Sequence, residues 1–295
     1  MKVWALRSRI LPLTDLPLVM GIIKVTPDSF SDGGKFLDPA AATKHALQLV
    51  ADGAHLLDIG GESTRPGSAV VSEQEELDRV ITAVEAICRE TDVPVSIDTS
   101  KAQVAREAIL VGAEIINDVT GLTGDPQMLH VALMSGAGVC AMHMQGTPQT
   151  MQDDPRYENV VGDIHEWLEK RRDLLTGRGI ERNRICLDPG IGFGKTHTHN
   201  LELLANIDRF LDLDCPILVG HSRKGFIGKM TGDTSATRVA GTLAVSLHLA
   251  RAGVHVLRVH DVRETCQALA MQQSLREHVR NDFLHLFPRV AEDDG

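Results

Sequence analysis

The chain has no excess of positive charge: its 295 residues carry a formal net charge of -10. Nucleic acids and anionic membranes attract basic surfaces, so this charge argues against non-specific binding to either. A phosphorylated ligand would therefore need a few positive side chains placed close to it.

Cysteines are few and scattered, and no two of them form a CxxC pair. Three of the five lie in or beside apolar segments that we predict to be buried strands. This pattern favours reduced core thiols over a disulfide framework. The five are Cys88, Cys140, Cys186, Cys215 and Cys266.

Long apolar segments are also missing, since no stretch approaches the roughly 20 apolar residues of a membrane-spanning helix. The N-terminal segment is interrupted by Arg7, Arg9 and Pro12, and it lacks the continuous apolar core of a signal peptide. We therefore expect a cytoplasmic protein.

The chain does contain eight short apolar runs, and nearly every run ends at a polar residue. Strands that are buried on both faces read as continuous Val/Ile/Leu runs, and the amphipathic stretches between them supply crossover helices. Eight such units predict an α/β protein, a single-domain (β/α)8 TIM barrel whose catalytic groups lie where the strands end. The terminal polar residues are Lys24, Asp58, Asp98, Asn117, Asp118, His143, Asp188, Ser222, Arg258 and His260.

The order of these units predicts the domain organisation. We expect an N-terminal extension packed on the barrel (1–17), the barrel itself (18–275), and a C-terminal helix end with an acidic tail (276–295). Long loops rich in Gly, Pro and Ser follow strands 1 and 2, and a third long connection follows strand 5. Loops of this length at the carboxyl ends of strands predict lids or binding loops.

Two basic residues near the end of the last strand indicate an anion site. Arg258 and His260 are two positions apart on one strand, so their side chains point to the same side. Strand 7 ends beside them in GHSRKG (220–225), which offers hydroxyl, guanidinium, ammonium and backbone N–H donors. Barrels commonly bind phosphate with the loops after strands 7 and 8. A structural ion pair inside the barrel is the alternative function of Arg258.

Three acceptors end strands 3, 4 and 6, namely Asp98, Asn117 and Asp188. Each alone could be a cap or a satisfied buried polar group. Together at one mouth they form an acceptor-rich cup, and a carboxylate suits the amidine-like edge of a guanine or a pterin. Lys224 could add a donor to the same heterocycle.

The glycine run DPGIGFGK (188–195) lacks the spacing of a nucleotide-binding loop. Within it, Phe193 stands between two glycines and has little core to join. We expect His197 and His199 to lie on a solvated loop rather than in a metal site, because no acidic or thiol ligand is near them in sequence. His143 has either a direct or a supporting role in the site.

With these residues identified, the chain resembles the dihydropteroate synthase family over roughly residues 18–275. The resemblance implies condensation of 6-hydroxymethyl-7,8-dihydropterin diphosphate with 4-aminobenzoate to give 7,8-dihydropteroate and diphosphate in folate biosynthesis. It also implies assistance by Mg²⁺ and a homodimer. The segments that carry it are TPDSFSDGG (26–34), GGESTRPG (60–67), SIDTS (96–100), INDVTG (116–121), MHMQGTP (142–148), LDPGIGFGK (187–195), GHSRKGFIG (220–228) and RVHDV (258–262).

Matched position by position, the resemblance assigns site residues. The pterin pocket falls on Asp98, Asn117, Met142, Asp188 and Lys224. The diphosphate site falls on Thr64, Arg258 and His260. The 4-aminobenzoate site falls on Phe30, Arg65, Pro66, Phe193 and Ser222. The loops that close over the site carry Asp28, Thr64 and Arg65. The expected catalytic groups are Asp98, Lys224, Arg258 and His260.

One position departs from the family pattern. The family has Asn at the end of strand 1, where the amide oxygen helps to hold the metal and the diphosphate, and this chain has Lys24. An ammonium cannot ligate Mg²⁺, so no side chain is assigned as a metal ligand, but it can neutralise a diphosphate as a point charge. We expect Lys24 to contact the diphosphate and to weaken the dependence on Mg²⁺.

Two other functions stay open at this point. A non-catalytic or altered pterin-binding paralogue would explain Lys24. A pterin-dependent methyltransferase with a corrinoid partner would use the same cup, although it would not need the loops and the anion strand identified above.

Overall fold

The structure, a computed structural model, describes residues 2–26, 39–64 and 67–278. The strands are β1 (Val3–Ala5), β2 (Ile10–Pro12), β3 (Leu18–Lys24), β4 (Leu56–Gly60), β5 (Val95–Asp98), β6 (Ile115–Asp118), β7 (Gly138–Met142), β8 (Ile185–Asp188), β9 (Leu218–Val219) and β10 (Val256–Val259). The helices are α1 (Pro39–Ala51), α2 (Glu73–Glu90), α3 (Ala102–Leu110), α4 (Met128–Ser135), α5 (Val160–Gly177), α6 (His197–Ala205), α7 (Gly225–Thr231), α8 (Val239–Ala252) and α9 (Val262–Glu277).

The predicted barrel is confirmed. Among the described residues, eight parallel strands form one sheet in the order β8-β7-β6-β5-β4-β3-β10-β9. A parallel bridge between Leu187 and Ile217 joins β8 to β9 and closes the ring. The carboxyl ends of the strands, where the sequence places its polar residues, therefore meet at one mouth.

Alternation along each strand separates two apolar layers. Val19, Leu57 and Ile97 face outward and belong to the core that packs against the helices. Met20 and Leu56, one residue away, belong to a separate buried cluster inside the barrel. The other strand residues of this inner cluster are Ile115, Cys140, Cys186, Leu218 and Val256.

The N-terminal residues form an antiparallel hairpin, β1 with β2, that lies against the amino ends of the barrel strands. Trp4 is fully buried in the inner cluster, and its Nε1 donates to the carbonyl of Arg184 at 3.1 Å, just before β8. A Cβ on Gly138, the first residue of β7, would lie 2.9 Å from Leu6 Cδ2. The hairpin therefore closes the bottom of the barrel, opposite the mouth.

Two local predictions differ from the structure. Residues 197–199 were expected on a loop, but they form the first turn of α6, with Thr196 accepting from the backbone of His199 as its N-cap. The sequence predicts strand 7 over 216–221, but β9 is only Leu218–Val219, and the N–H of Ile217 just before it donates to His255 Nδ1 at 3.0 Å. Helix α9 ends at Glu277. Of the C-terminal segment expected over 276–295, only residues 276–278 are among the described residues.

Within the described ranges, no helix has the length and hydropathy needed to cross a bilayer.

Candidate active site

A buried ion cluster lies at the mouth and joins three strands. Arg258 Nε donates to Asp58 Oδ2 at 2.6 Å, and its Nη2 donates to Asp98 Oδ2 at 2.7 Å. Asp58 is fully buried and Asp98 is 4% exposed. Burial alone would raise the pKa of Asp98, but Lys24 and Arg258 outweigh it and hold that pKa below its ordinary value. Asp98 is therefore ionised at neutral pH.

Arg258 thus forms the ion pairs that the sequence analysis gave as its alternative function. It also has N–H donors that could bind an anion. These two bonds use two of the five N–H donors of a guanidinium. Burial alone would lower the pKa of Arg258, but the charges of Asp58 and Asp98 outweigh burial and hold that pKa above its ordinary value. The guanidinium is a permanent positive charge at the mouth.

Lys24, at the end of β3, enters the same cluster. Its Nζ lies 2.7 Å from Asp98 Oδ2 and 3.3 Å from the carbonyl of Glu62. Gly60 makes room for it, because a Cβ there would lie 2.7 Å from Lys24 Nζ. Lys24 therefore places a second positive charge beside Asp98, in addition to Arg258. It stands at the position where the family pattern has Asn.

The acceptor cup is built from the next strands. Asn117 Nδ2 donates to Asp58 at 3.2 and 3.3 Å, which ties β6 to β4 across the barrel. Asp188 is 5% exposed, and its Oδ1 accepts from the N–H of Gly190 at 2.7 Å. Burial raises the pKa of Asp188 to about 6 in spite of nearby Lys224 and Arg258. The structure therefore brings Asp98, Asn117 and Asp188 together, as the sequence predicted.

An aromatic platform borders the cup. Lys224 Nζ lies 4.0 Å from the centre of the Phe193 ring, a cation–π contact. Phe193 is buried in a small apolar cluster with Met142 and Met151. Burial, followed by the charge of Arg258, lowers the pKa of Lys224 to about 8. An apolar ring could stack here beside a positive charge.

The closing strands supply a hydroxyl and an imidazole. Ser222 Oγ lies 3.1 Å from His260 Nδ1 and accepts from the backbone N–H of His260 at 3.2 Å. Arg223, which the sequence offered as a further donor, instead pairs with Asp261, with Nη2 to Oδ1 at 2.6 Å. Arg223 has a positive φ of 59°.

Two long loops approach each other over the mouth. Glu62, just after β4, accepts from Lys101 at 2.6 Å and from the N–H of Val71 at 2.9 Å, so it fixes both ends of its loop. The N–H of Gly67 in that loop donates to the carbonyl of Pro148 in the loop after β7, at 3.4 Å. Thr64 lies between these anchors and is half-buried. The predicted residues Asp28, Phe30, Arg65 and Pro66 lie outside the described residues.

The chain is similar to known proteins. A family model described as "pterin binding enzyme" matches residues 20–260. The dihydropteroate synthase of Escherichia coli (strain K12) is 46% identical over 258 residues, which covers 88% of this chain and 91% of the relative. The chain belongs to the dihydropteroate synthase family.

Solved structures of this family have the same fold. A dihydropteroate synthase of Yersinia pestis with a sulfonamide drug complex has a TM-score of 0.87 at 44% identity, and covers 93% of this chain and 99% of its own. A dihydropteroate synthase of Xanthomonas albilineans in complex with 7,8-dihydropteroate has a TM-score of 0.83 at 41% identity, and covers 93% and 98%.

The donor set does not fit a protein-bound Mg²⁺ at the position that the family pattern assigns to it. The end of β3 presents the ammonium of Lys24, which is not a metal ligand. Within residues 2–26, 39–64 and 67–278, no group of three His, Cys, Asp or Glu side chains could hold a metal ion.

Asp58 and Lys195 contribute to the dihydropteroate synthase site, although the sequence motifs assigned neither of them a role there. Asp58 ends an apolar run like its neighbours, and this position alone could have assigned it to the mouth. Lys195 ends the glycine run, and it is 3% exposed with its Nζ 3.1 Å from His143 Nδ1. This contact links His143, the residue after β7, to the end of the glycine run.

Proposed function

We propose that the barrel mouth condenses 6-hydroxymethyl-7,8-dihydropterin diphosphate with 4-aminobenzoate, giving 7,8-dihydropteroate and diphosphate in folate biosynthesis. The chain is then a transferase that moves a dihydropterin-methyl group to an arylamine. One observation carries the proposal: buried acceptors on the central strands and cations on the closing strands meet at one mouth. Such a site suits a pterin joined to a diphosphate.

The pterin fits the acceptor cup. Asp188 and Asn117 would accept from the amidine edge of the ring, and Lys224 would donate to a ring nitrogen or carbonyl. Met142 would lie beneath the ring. Asp98 would face the methylene side, where its ionised carboxylate favours a cationic pterin.

The diphosphate fits the basic side of the mouth. The methylene C–O bond breaks first, the diphosphate leaves with the electron pair, and the ring nitrogens delocalise the positive charge left on the methylene. Arg258 and His260 would stabilise the negative charge that grows on the leaving oxygens. Lys24 and Thr64 would contact the same group from the ends of β3 and β4.

The arylamine fits beside Phe193 and the Lys224 stem, with its carboxylate near Ser222. Its nitrogen forms the new C–N bond and then loses a proton. A weak nucleophile needs orientation more than activation, which an apolar clamp provides. Phe30, Arg65 and Pro66 would complete this clamp, and loops bearing Asp28, Thr64 and Arg65 would close to exclude water.

We infer that Mg²⁺, which screens diphosphate charge in such reactions, is less important in this chain. Lys24 carries a positive charge at the position that the family pattern gives to a metal-holding Asn. Rotation of the Lys24 side chain would turn its ammonium from Asp98 towards the diphosphate.

A homodimer is also part of the proposal. Met271 and Leu275, one turn apart on α9, are 58% and 59% exposed. A second copy could cover this apolar stripe. Sedimentation of the purified chain, with Leu275→Glu as the weakened variant, would measure the association.

The test of the activity is an assay of both products. We expect equal amounts of diphosphate and 7,8-dihydropteroate, formed only when both substrates are present. A pterin-dependent methyltransferase predicts no reaction. A non-catalytic paralogue predicts saturable pterin binding without release of diphosphate, and either result contradicts the proposal.

A further inference from the structure

Lys195 is a buried lysine that the proposed reaction does not use. It is 3% exposed, and its Nζ donates to the carbonyl of Phe193 at 2.8 Å. The same nitrogen lies 3.1 Å from Nδ1 and 3.4 Å from the carbonyl oxygen of His143. The amino group of Lys195 therefore connects the residue after β7 to the glycine loop (189–194) after β8.

The glycine loop is pressed against the chain after β7 so closely that side chains cannot fit. A Cβ on Gly190 would lie 1.9 Å from the carbonyl oxygen of His143, and one on Gly194 would lie 2.6 Å from that of Gln145. Both glycines have positive φ values, 71° and 61°. Two backbones in such contact have few side chains to hold them in register, so the hydrogen bonds of Lys195 are important for the position of the loop.

The loop after β7 adds weaker ties to the same segment. Tyr157 Oη donates to the carbonyl of Gly194 at 2.8 Å, and Gln152 Nε2 donates to the carbonyl of Gly192 at 3.1 Å. Asn200 Oδ1, on α6, accepts from the N–H of Gly192 at 2.6 Å. All of these bonds fix the backbone on either side of Phe193.

We propose that Lys195 is a positioning residue, which sets the Phe193 ring under Lys224 and thereby shapes the arylamine half of the site. The inference rests on the proposed function in one respect, the assignment of 4-aminobenzoate to this platform. The contacts of Lys195 Nζ are to His143 and Phe193, so in the proposed site Lys195 would act through the loop and not on either substrate.

The charges around Lys195 agree with this role. Burial lowers the pKa of Lys195 to about 7, with Asp188 acting to raise it and Lys224 to lower it further. Burial, followed by the charge of Lys195, also lowers the pKa of His143 to about 3, so the imidazole is neutral and its Nδ1 can accept an N–H from Lys195 Nζ. Other titratable groups lie nearby: the Tyr157 ring is 6.1 Å from that of His143 and 5.1 Å from that of His199, and the charge of Asp163 acts on Tyr157.

The test compares how tightly the chain binds 7,8-dihydropteroate and 6-hydroxymethyl-7,8-dihydropterin, which share the dihydropterin but not the arylamine. For Lys195→Met we expect the preference for dihydropteroate to fall about 10- to 100-fold, because misplacing a positioned group by about 1 Å can cost on the order of 100-fold. Binding of the pterin alone should change less than about twofold, which is under 0.5 kcal/mol. Where turnover is measured, KM for 4-aminobenzoate should rise more than kcat falls.

Two further variants keep the test decisive. Tyr157→Phe removes one tie to the glycine loop and should shift the same ratio by a smaller factor, even if Lys195→Met folds poorly. Lys170→Met, on the exposed side of α5, should leave the ratio unchanged.

The inference is overturned if both ligands weaken equally in Lys195→Met and Tyr157→Phe, or if neither weakens. It is also overturned if the unaltered chain binds dihydropteroate no more tightly than the pterin. Failure of the proposed function is a separate result, absence of turnover, because these binding ratios require no catalysis.

Discussion

The two ends of the barrel are built from the same strands and have opposite chemistry. On β3 the inward-facing Met20 lies in the apolar cluster at the bottom, and Lys24 lies in the ion cluster at the mouth. On β10 the same change occurs within two residues, from Val256 to Arg258. The bottom is closed by Trp4, whereas the mouth is bordered by long loops.

Along each strand, the residues that stabilise the fold therefore lie near the bottom of the barrel, and the residues proposed to take part in the reaction lie at the mouth. Burial of apolar side chains at the bottom stabilises the fold. Burial of charges at the mouth costs free energy unless they are paired, and it raises the pKa of Asp188 and lowers that of Lys224. The mouth therefore holds groups whose charges a pterin diphosphate would satisfy better than the protein does alone.

The largest effect should come from breaking the ion cluster with Arg258→Met. We expect kcat/KM to fall about 1,000-fold, since losing one donor to a developing negative charge costs roughly 100- to 1,000-fold. Stability should fall by about 3 kcal/mol, because breaking a buried pair leaves Asp58 uncompensated. Steady-state kinetics and urea unfolding measure the two losses. Arg89→Met, in an exposed pair on α2, should change neither, and an equally large loss there would contradict the account.

The variant Trp4→Ala tests the bottom of the barrel. Truncating a fully buried Trp should cost about 3–5 kcal/mol of stability. The kinetic constants of the folded fraction should stay unchanged, because the hairpin lies opposite the mouth. Urea unfolding and active-site titration separate the two quantities. A changed KM for either substrate would show that the ends of the barrel are coupled.

The pH dependence of pterin binding should report on Asp188. Its pKa is raised to about 6, so acidification below pH 6 protonates the carboxylate and removes an acceptor for the ring. Affinity should weaken by about tenfold per pH unit below 6, as expected for one proton taken up by the free site. Asp188→Asn should bind weakly at all pH values and lose this slope.

A matched control is Asp118→Asn. The pKa of Asp118 is also raised to about 6 by burial, but its carboxylate accepts from Thr120 and Leu122. The slope should therefore remain in this variant. If the slope disappears there and persists in Asp188→Asn, the assignment of the pterin edge is wrong.

The smallest expected effect is a change in how strongly Mg²⁺ stimulates the reaction. Lys24→Asn restores the residue of the family pattern, and we expect it to increase the stimulation by Mg²⁺ about tenfold, the effect of roughly 1.4 kcal/mol. Binding of diphosphate measured by calorimetry, with chelator and with Mg²⁺, gives a readout besides turnover. Identical metal curves for both chains would refute the role given to Lys24.

The sequence predicts the fold and much of the cup because both follow from periodicity. Parallel strands end on one side, so Asp98, Asn117, Asp188 and Arg258 could be placed at one mouth from their positions alone. The structure brings all four together, with Arg258 bonded to Asp98. Their individual roles toward a substrate stay predictions.

Other features depend on long-range packing that periodicity does not encode. The pair of Lys24 with Asp98 joins residues 74 apart, and it needs the space left by Gly60. The burial of Lys195 depends on the close approach of two loops. His197 and His199 were predicted to lie on a solvated loop, but the N-cap at Thr196 begins a helix there.

The most direct test of the account is a crystal structure of this chain with 7,8-dihydropteroate bound. We predict the pterin edge on Asp188 and Asn117, the phenyl ring against Phe193 and Lys224, and the methylene facing Arg258. Product bound elsewhere, for example in the surface groove of about 740 Å³ between α1 and α2, would contradict it.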